Sequence, residues 1–316
     1  YILDMKTIIF VGTRPEAIKL VPLYKVLSKN SQTLLVSTGQ HKEMVNQIFT
    51  FFDVQPDFEF NLMTKNQPLA DIFSKVFIEA GKLIAKERPN LIIVQGDTST
   101  ALASALAAFY EKTDIAHIEA GLRTHEFYSP FPEEKNRELI SRIARFHFAP
   151  TVKNKRNLLS EGIASENIHV VGNTVIDALL DSSLRIDSND MNLAFSESLP
   201  FKLSQSKYIL ITGHRRENFG GGIKEICDAL KILSKMHPDV YFVYPVHLNP
   251  NIKLVVDDAL AGMKNIFLLK PQSYDRFIYL MSNCFLILTD SGGIQEEAPS
   301  LNKPVLLMRN STERPE

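Results

Sequence analysis

Three features of the sequence predict an α/β fold in which parallel sheets are covered by helices on both faces and shared between two domains. Short apolar runs alternate with longer helix-forming stretches along nearly the whole chain. The length, 316 residues, exceeds one small domain and suits two. Polar and charged residues gather just after the apolar runs: Arg14, Gln40, Asp97, Glu119, His214, His247 and Ser291. In open parallel sheets that edge is where ligands bind, so two Rossmann-like, doubly wound domains facing a shared cleft are expected.

Taken in order, 6–12 forms the first strand. Thr13-Arg14-Pro15-Glu16 and a helix over 15–30 follow, with Pro well placed where a missing N–H costs nothing. A strand over 33–38 feeds the turn Gly39-Gln40-His41 and a helix ending near Phe52. A long helix covers 69–87. The strand 91–95 then ends in Gly96-Asp97-Thr98 and an Ala-rich helix to Tyr110. The strand 115–118 ends in Glu119-Ala120-Gly121. A loop with Pro130 and Pro132 leads into a helix opened by Glu133 and Glu134, and strands near 146–149 and 169–171 close the first half. The second half places strands at 208–212, 240–244, 285–289 and 304–308, with a triple glycine at 220–222 opening a helix. The polar stretch 182–198 reads as a surface connection. The boundary is set near Gly172, giving domains 5–171 and 172–316.

Composition narrows the function. Lys and Arg number 35 against 36 Asp and Glu, so no basic field argues for nucleic acid or a membrane surface. No run approaches the ~18 apolar residues of a membrane span. Cys227 and Cys284 sit in apolar surroundings, as core fillers in a reducing cytoplasm would. Met5 reads as the natural start, and the stop at Thr312-Glu313-Arg314-Pro315-Glu316 reads as a missing C-terminal portion. The sequence lacks G-x-G-x-x-G, a P-loop, H-E-x-x-H and paired C-x-x-C, so no nicotinamide, metal or other cofactor is expected.

The stretch Leu286–Pro299 joins an apolar strand to Ser291-Gly292-Gly293 and a helix start. There free N–H groups would hold an anion, with Glu296 one turn inside. Asp97 and the hydroxyls after it have a bland alternative as caps of the following helix, and a dipole-complementing role alone could explain one of Glu133 and Glu134. Glu119 is harder to set aside, since a carboxylate directly after a buried strand is costly unless paired or used. His41, His117, His147, His169 and His237 read as ordinary surface or core residues, whereas His214 between Gly213 and Arg215-Arg216 reads as functional. Acids, Arg, His and glycine turns in one cleft suit cofactor-free acid/base chemistry on a phosphate-bearing substrate.

Several stretches together resemble the non-hydrolysing bacterial UDP-N-acetylglucosamine 2-epimerases, in register from about Met5 to the end. They are Gly12-Thr13-Arg14-Pro15-Glu16-Ala17-Ile18-Lys19, Gly96-Asp97-Thr98, His117 to Thr124, Ser129-Pro130-Phe131-Pro132-Glu133-Glu134 and Gly172-Asn173-Thr174. Gly213-His214-Arg215-Arg216-Glu217, Tyr244 to Pro250, Asp290 to Pro299 and Thr312 to Glu316 continue the match. The resemblance implies GT-B architecture and interconversion of UDP-GlcNAc and UDP-ManNAc. The route is elimination of UDP to a 2-acetamidoglucal and re-addition, supplying ManNAc for cell-surface polysaccharide. Homodimers are usual in the family.

By that resemblance Asp97, Glu119 and Glu133 are the catalytic acids, with Lys19 nearby and His214 beside the departing diphosphate. Which acid removes the C2 proton and which returns it stays open. Arg14, Lys19, His214, Ser291, Gly292 and Gly293 are expected to hold UDP. Glu296 would take the ribose, Gln272 and Phe277 the uracil, and Arg314 is a further ligand position. Gln40, Glu43, Glu134, Arg215, His247 and the region of Asn66 match the site of an activating second UDP-GlcNAc. Activated members carry Gln where Glu43 stands and Arg near Asn66, so weak or no activation is expected. The alternatives are a hydrolysing 2-epimerase and a GT-B glycosyltransferase.

Overall fold

A computed structural model describes residues 5–62, 67–187, 195, 199, 201–213, 221–246 and 250–308. His214, Arg215, His247, Asn66 and Arg314 lie outside the described residues. The chain divides into two compact units, one ending at Ala178 and the other beginning at Leu179.

The first unit is built on β1 (Lys6–Val11), β2 (Gln32–Ser37), β3 (Phe58–Glu59), β4 (Leu91–Gln95), β5 (Asp114–Ile118), β6 (Phe146–Ala149) and β7 (Ile168–Val170). All pair in parallel, in the order β3-β2-β1-β4-β5-β6-β7. The helices are α1 (Arg14–Leu27), α2 (Lys42–Phe51), α3 (Leu69–Glu87), α4 (Ser99–Tyr110), α5 (Glu133–Ile143) and α6 (Val152–Ser160), and α7 (Thr174–Asp187) begins in this unit and ends in the second. The strand order runs outward in opposite directions from β1 and β4, so the switch point lies between their carboxyl ends.

Helices cover the strands on both faces: Ile9, Val11 and Ile93 are buried on one, and Ile8, Phe10, Ile92 and Val94 on the other. Against them pack Leu83 and Ile84 of α3 and Ala101, Ala105 and Ala108 of α4. The alanines let α4 lie close to the sheet, and Gly12 completes the approach. A methyl group there would sit 2.8 Å from both the Thr100 Cβ and the Thr38 Oγ1.

The second unit holds β8 (Tyr208–Thr212), β9 (Tyr241–Pro245), β10 (Ile266–Leu269), β11 (Leu286–Thr289) and β12 (Val305–Leu307), parallel in the order β10-β9-β8-β11-β12. Its helices are α8 (Gly221–Met236), α9 (Pro250–Leu260), α10 (Tyr274–Asn283) and α11 (Gly292–Ser300). Ile211, Leu230, Phe242, Tyr244 and Val256 form its core. Cys227 and Cys284 are buried and free, and burial pushes the Cys284 thiol up to about 11.

One expectation needs correction. Residues 182–187 are not a surface connection but the end of α7. Val175, Ala178, Leu179, Ser182 and Ile186 are buried at helical spacing, and the Ser182 hydroxyl donates to the Tyr274 hydroxyl at 3.4 Å. The serines disguised an apolar stripe of period 3.6.

Gly12→Ala should destabilise the fold by about 1–3 kcal/mol through overpacking, read as a lower urea midpoint at unchanged m-value. His117 is fully buried and its pKa is pushed down to about 3, chiefly by desolvation, from an ordinary 6.5. Between those values the unfolded chain binds the extra proton, so stability is complete above 6.5 and declines as pH falls toward 3. Urea midpoints at pH 7.5 and 5 should therefore differ more in the parent protein than in His117→Gln.

Candidate active site

At the carboxyl end of β1 the chain enters α1 through Thr13, which caps the helix reciprocally with Glu16. Glu16 is buried. One of its oxygens accepts from the Gly12 and Thr13 amides at 3.0 and 2.6 Å, and the other accepts from the Thr98 hydroxyl at 2.6 Å. Glu16 thus ties the loop after β1 to the loop after β4, although burial still raises its carboxyl pKa. This leaves Arg14 half-buried as the first residue of α1, one turn before Lys19.

Lys19 reaches across to Glu119, with its ammonium 2.6 Å from both carboxylate oxygens. Glu119 directly follows β5 in a left-handed conformation, φ 63°, and is 8% exposed. The Gln95 amide, at the end of β4, donates to Oε2, and the Asn173 amide donates to Oε1 at 3.5 Å. Asp97 sits one loop away, ion-paired with Arg137 of α5, while Asn136 donates to the Asp97 carbonyl at 2.8 Å. Burial raises the Asp97 carboxyl pKa. Arg137 and Lys19 oppose the rise, and Glu119 and Glu133 add to it.

The capping role falls to a hydroxyl after Asp97 and not to its carboxylate. Thr98 caps α4, accepting from the Ala101 amide at 3.0 Å, so Asp97 carries no capping duty. Glu133 and Glu134 open α5 as expected, but they serve differently. Glu133 is half-buried and felt by Asp97. Glu134 is fully buried and accepts from the Thr124 and His125 amides at 2.9 Å, with Arg137 at 3.4 Å, so it anchors the loop before the helix.

The other residues matched to a second nucleotide also have local duties or open positions. Gln40 accepts from the Thr100 hydroxyl at 2.8 Å, and Glu43 is exposed on α2. His117 and His147 are buried register partners on β5 and β6. Their Nε2 atoms face the Gly96 and Ser141 carbonyls at 2.7 and 3.0 Å.

In the second unit the switch point lies between β8 and β11. Thr212 and Thr289 share a hydrogen bond there at 2.5 Å, and the Ser291 amide donates to the Thr289 hydroxyl at 2.9 Å. Gly292 and Gly293 are the first residues of α11 rather than a separate turn. Ser291 precedes them without a side-chain cap bond, so its hydroxyl does not claim their amides. Glu296 follows on the same helix, half-buried. Gln272 lies in the loop after β10 with its amide turned onto the Lys270 carbonyl at 2.6 Å, and Phe277 lies half-buried on α10.

Sequence reasoning missed Gln95, Arg137 and Asn136. Gln95 had a signal, since a polar residue inside an apolar strand must find a partner. Arg137 had a weaker one, standing three and four residues beyond Glu134 and Glu133 on the same helix.

A UDP-N-acetylglucosamine 2-epimerase family model matches residues 25–316. The UDP-N-acetylglucosamine 2-epimerase of Campylobacter jejuni is 49% identical, over 98% of this chain and 83% of that protein. That of Escherichia coli K12 is 47% identical, over 99% and 84%. The crystal structure of the Neisseria meningitidis UDP-GlcNAc 2-epimerase bound to UDP-GlcNAc aligns at a TM-score of 0.91 and 46% identity. It covers 98% of this chain and 84% of that one. With near-complete coverage by relatives of this similarity, the chain belongs to the UDP-N-acetylglucosamine 2-epimerase family.

Proposed function

We propose that this isomerase interconverts UDP-GlcNAc and UDP-ManNAc without hydrolysis. UDP is eliminated to give 2-acetamidoglucal and is added back after the proton returns to the opposite face of C2. The product would supply ManNAc units for cell-surface polysaccharide, and the enzyme would work as a cytoplasmic homodimer. The observation that carries the reading is the paired acids Asp97 and Glu119, each held by a cation at adjacent strand ends.

The C2 proton lies beside a ring carbon, not a ketone, so it becomes acidic only as the C1–O bond breaks. Charge then builds as an oxocarbenium at C1 and on the departing diphosphate. Carboxylates answer the first, and fixed positive charge and free amides answer the second. In this reading Asp97, Glu119 and Glu133 exchange the proton and steady C1. Arg14, Lys19, His214 and the start of α11 hold the diphosphate. Glu296 binds the ribose, Gln272 and Phe277 the uracil, and Arg314 adds a further contact to UDP. The raised pKa of Asp97 supports this role, because a group exchanging a proton in both directions works best near the ambient pH. The motif Thr13-Arg14-Pro15-Glu16 favours the non-hydrolysing route over the hydrolysing one, by the resemblance that motif carries.

Incubation with UDP-GlcNAc in D2O should place deuterium at C2 of recovered UDP-sugars. Free ManNAc would make the enzyme hydrolytic instead, and neither product would point to glycosyl transfer. Asp97→Asn should lower kcat by about 10²–10⁴-fold with UDP affinity unchanged, and near-normal turnover would remove Asp97 from the reaction. Because Glu43 departs from the activated members, the rate should rise hyperbolically with UDP-GlcNAc. A sigmoidal curve would show that a second nucleotide activates the enzyme after all.

A further inference from the structure

We propose that Gln95 is a positioning residue for Glu119, an inference that rests on the epimerase reading above. Its amide holds one carboxylate oxygen and so sets the orientation in which Glu119 meets the substrate. Gln95 ends β4 and is 4% exposed, and Glu119 ends the neighbouring strand β5. Gln95 and Ile118 are register partners, so the Glu119 backbone leaves the sheet directly beside the amide. The Gln95 Nε2 donates to Oε2, which also takes Lys19 at 2.6 Å. Oε1 takes Lys19 at the same distance and the Asn173 amide at the longer 3.5 Å. Oε2 thus carries the Gln95 amide as well as the shared ammonium, which fixes the plane of the carboxylate.

A neutral amide suits this duty for two reasons. A charge-assisted hydrogen bond from a buried donor favours the ionised carboxylate and narrows its rotation. An amide also keeps its proton across the whole working range, so it cannot compete with Lys19 or Asp97 for the proton being moved. A second cation here would bind the carboxylate too firmly for it to accept a proton. A second carboxylate would leave two like charges side by side at the strand ends.

Gln95→Met removes the donor at similar volume. Loss of one such hydrogen bond should lower kcat by about 10- to 100-fold while KM for the UDP-sugar stays the same. The acidic limb of the kcat/KM profile should move to higher pH, since the ionised form of Glu119 loses a donor. The deciding measurement is a double-mutant cycle with Glu119→Gln, scored by slow C2 deuteration of UDP-GlcNAc in D2O. If Gln95 acts through Glu119, adding Gln95→Met to Glu119→Gln should cost almost nothing further. Additive losses, or a pH profile that keeps its acidic limb while kcat drops, would show Gln95 to be a packing residue and overturn the assignment. Near-normal Gln95→Met would overturn it too. Urea midpoints for each variant separate loss of fold from loss of position. Should the parent enzyme fail to deuterate C2 at all, the epimerase reading itself falls and takes this role with it. That outcome is distinct from one in which only the variants behave wrongly.

Discussion

The first unit depends on keeping one negative charge, Glu119, nearly out of water at the end of a central strand. An isolated buried carboxylate would cost several kcal/mol and would neutralise itself, so the surroundings must supply compensation. Three elements do so: α1 sends Lys19, β4 ends in Gln95, and the residue before α7 is Asn173. Each must arrive in register, which makes the packing beneath them part of the site. The Glu119 backbone adds its own demand. A left-handed, non-glycine residue costs of order 1–3 kcal/mol and persists where neighbouring structure holds it. Gly121, two residues on, takes φ 88° and passes so close to the Asn154 carbonyl that a side chain there would collide.

Asp97 and Glu119 sit close enough to influence one another, yet each has a cation of its own. That pairing differs from a simple salt-bridge network. Desolvation pushes Asp97 toward the protonated form, Arg137 pulls it back, and Glu119 and Glu133 push again. The proton affinity of Asp97 is therefore set by where its charged neighbours, Arg137, Glu119, Glu133 and Lys19, are held. Arg137 also reaches Glu134, whose carboxylate pins the loop ahead of α5, so the same guanidinium links Asp97 to the placement of Glu133.

Much of the fold was legible because its signals are local. The helix 69–87 and strand 91–95 were read at their observed bounds, since a strong helical stripe and a compact apolar run meet there. The last turns of α7 were not, because Ser182 interrupts the stripe with a hydroxyl that finds Tyr274 only after folding. The site divides in the same way. Glu119 could be singled out from the cost of its position, but its cation stands 100 residues earlier and its amide partner 24. Partnership across such separations is set by strand order, which no local pattern encodes. Asp97 was ambiguous for a related reason: two adjacent residues could cap α4, and only the backbone shows that Thr98 does.

Glu16, Glu119 and Glu134 all stand in the motifs that carry the family likeness, and all three are buried. Residue type and burial therefore cannot separate chemistry from architecture here; the donors can. Glu16 takes two backbone amides and a hydroxyl, and Glu134 takes two backbone amides from the loop it anchors. Backbone donors are fixed by the fold and cannot withdraw, so a carboxylate bound to them is committed to shape. Glu119 instead takes an ammonium and side-chain amides, groups on rotatable stems that can follow a changing charge. A carboxylate meant to gain and lose a proton needs partners of that second kind, because rigid donors would resist one of its two states. This contrast supports the proposal that Glu119 and Asp97 are among the reactive acids, with Glu16 and Glu134 as the frame that presents them.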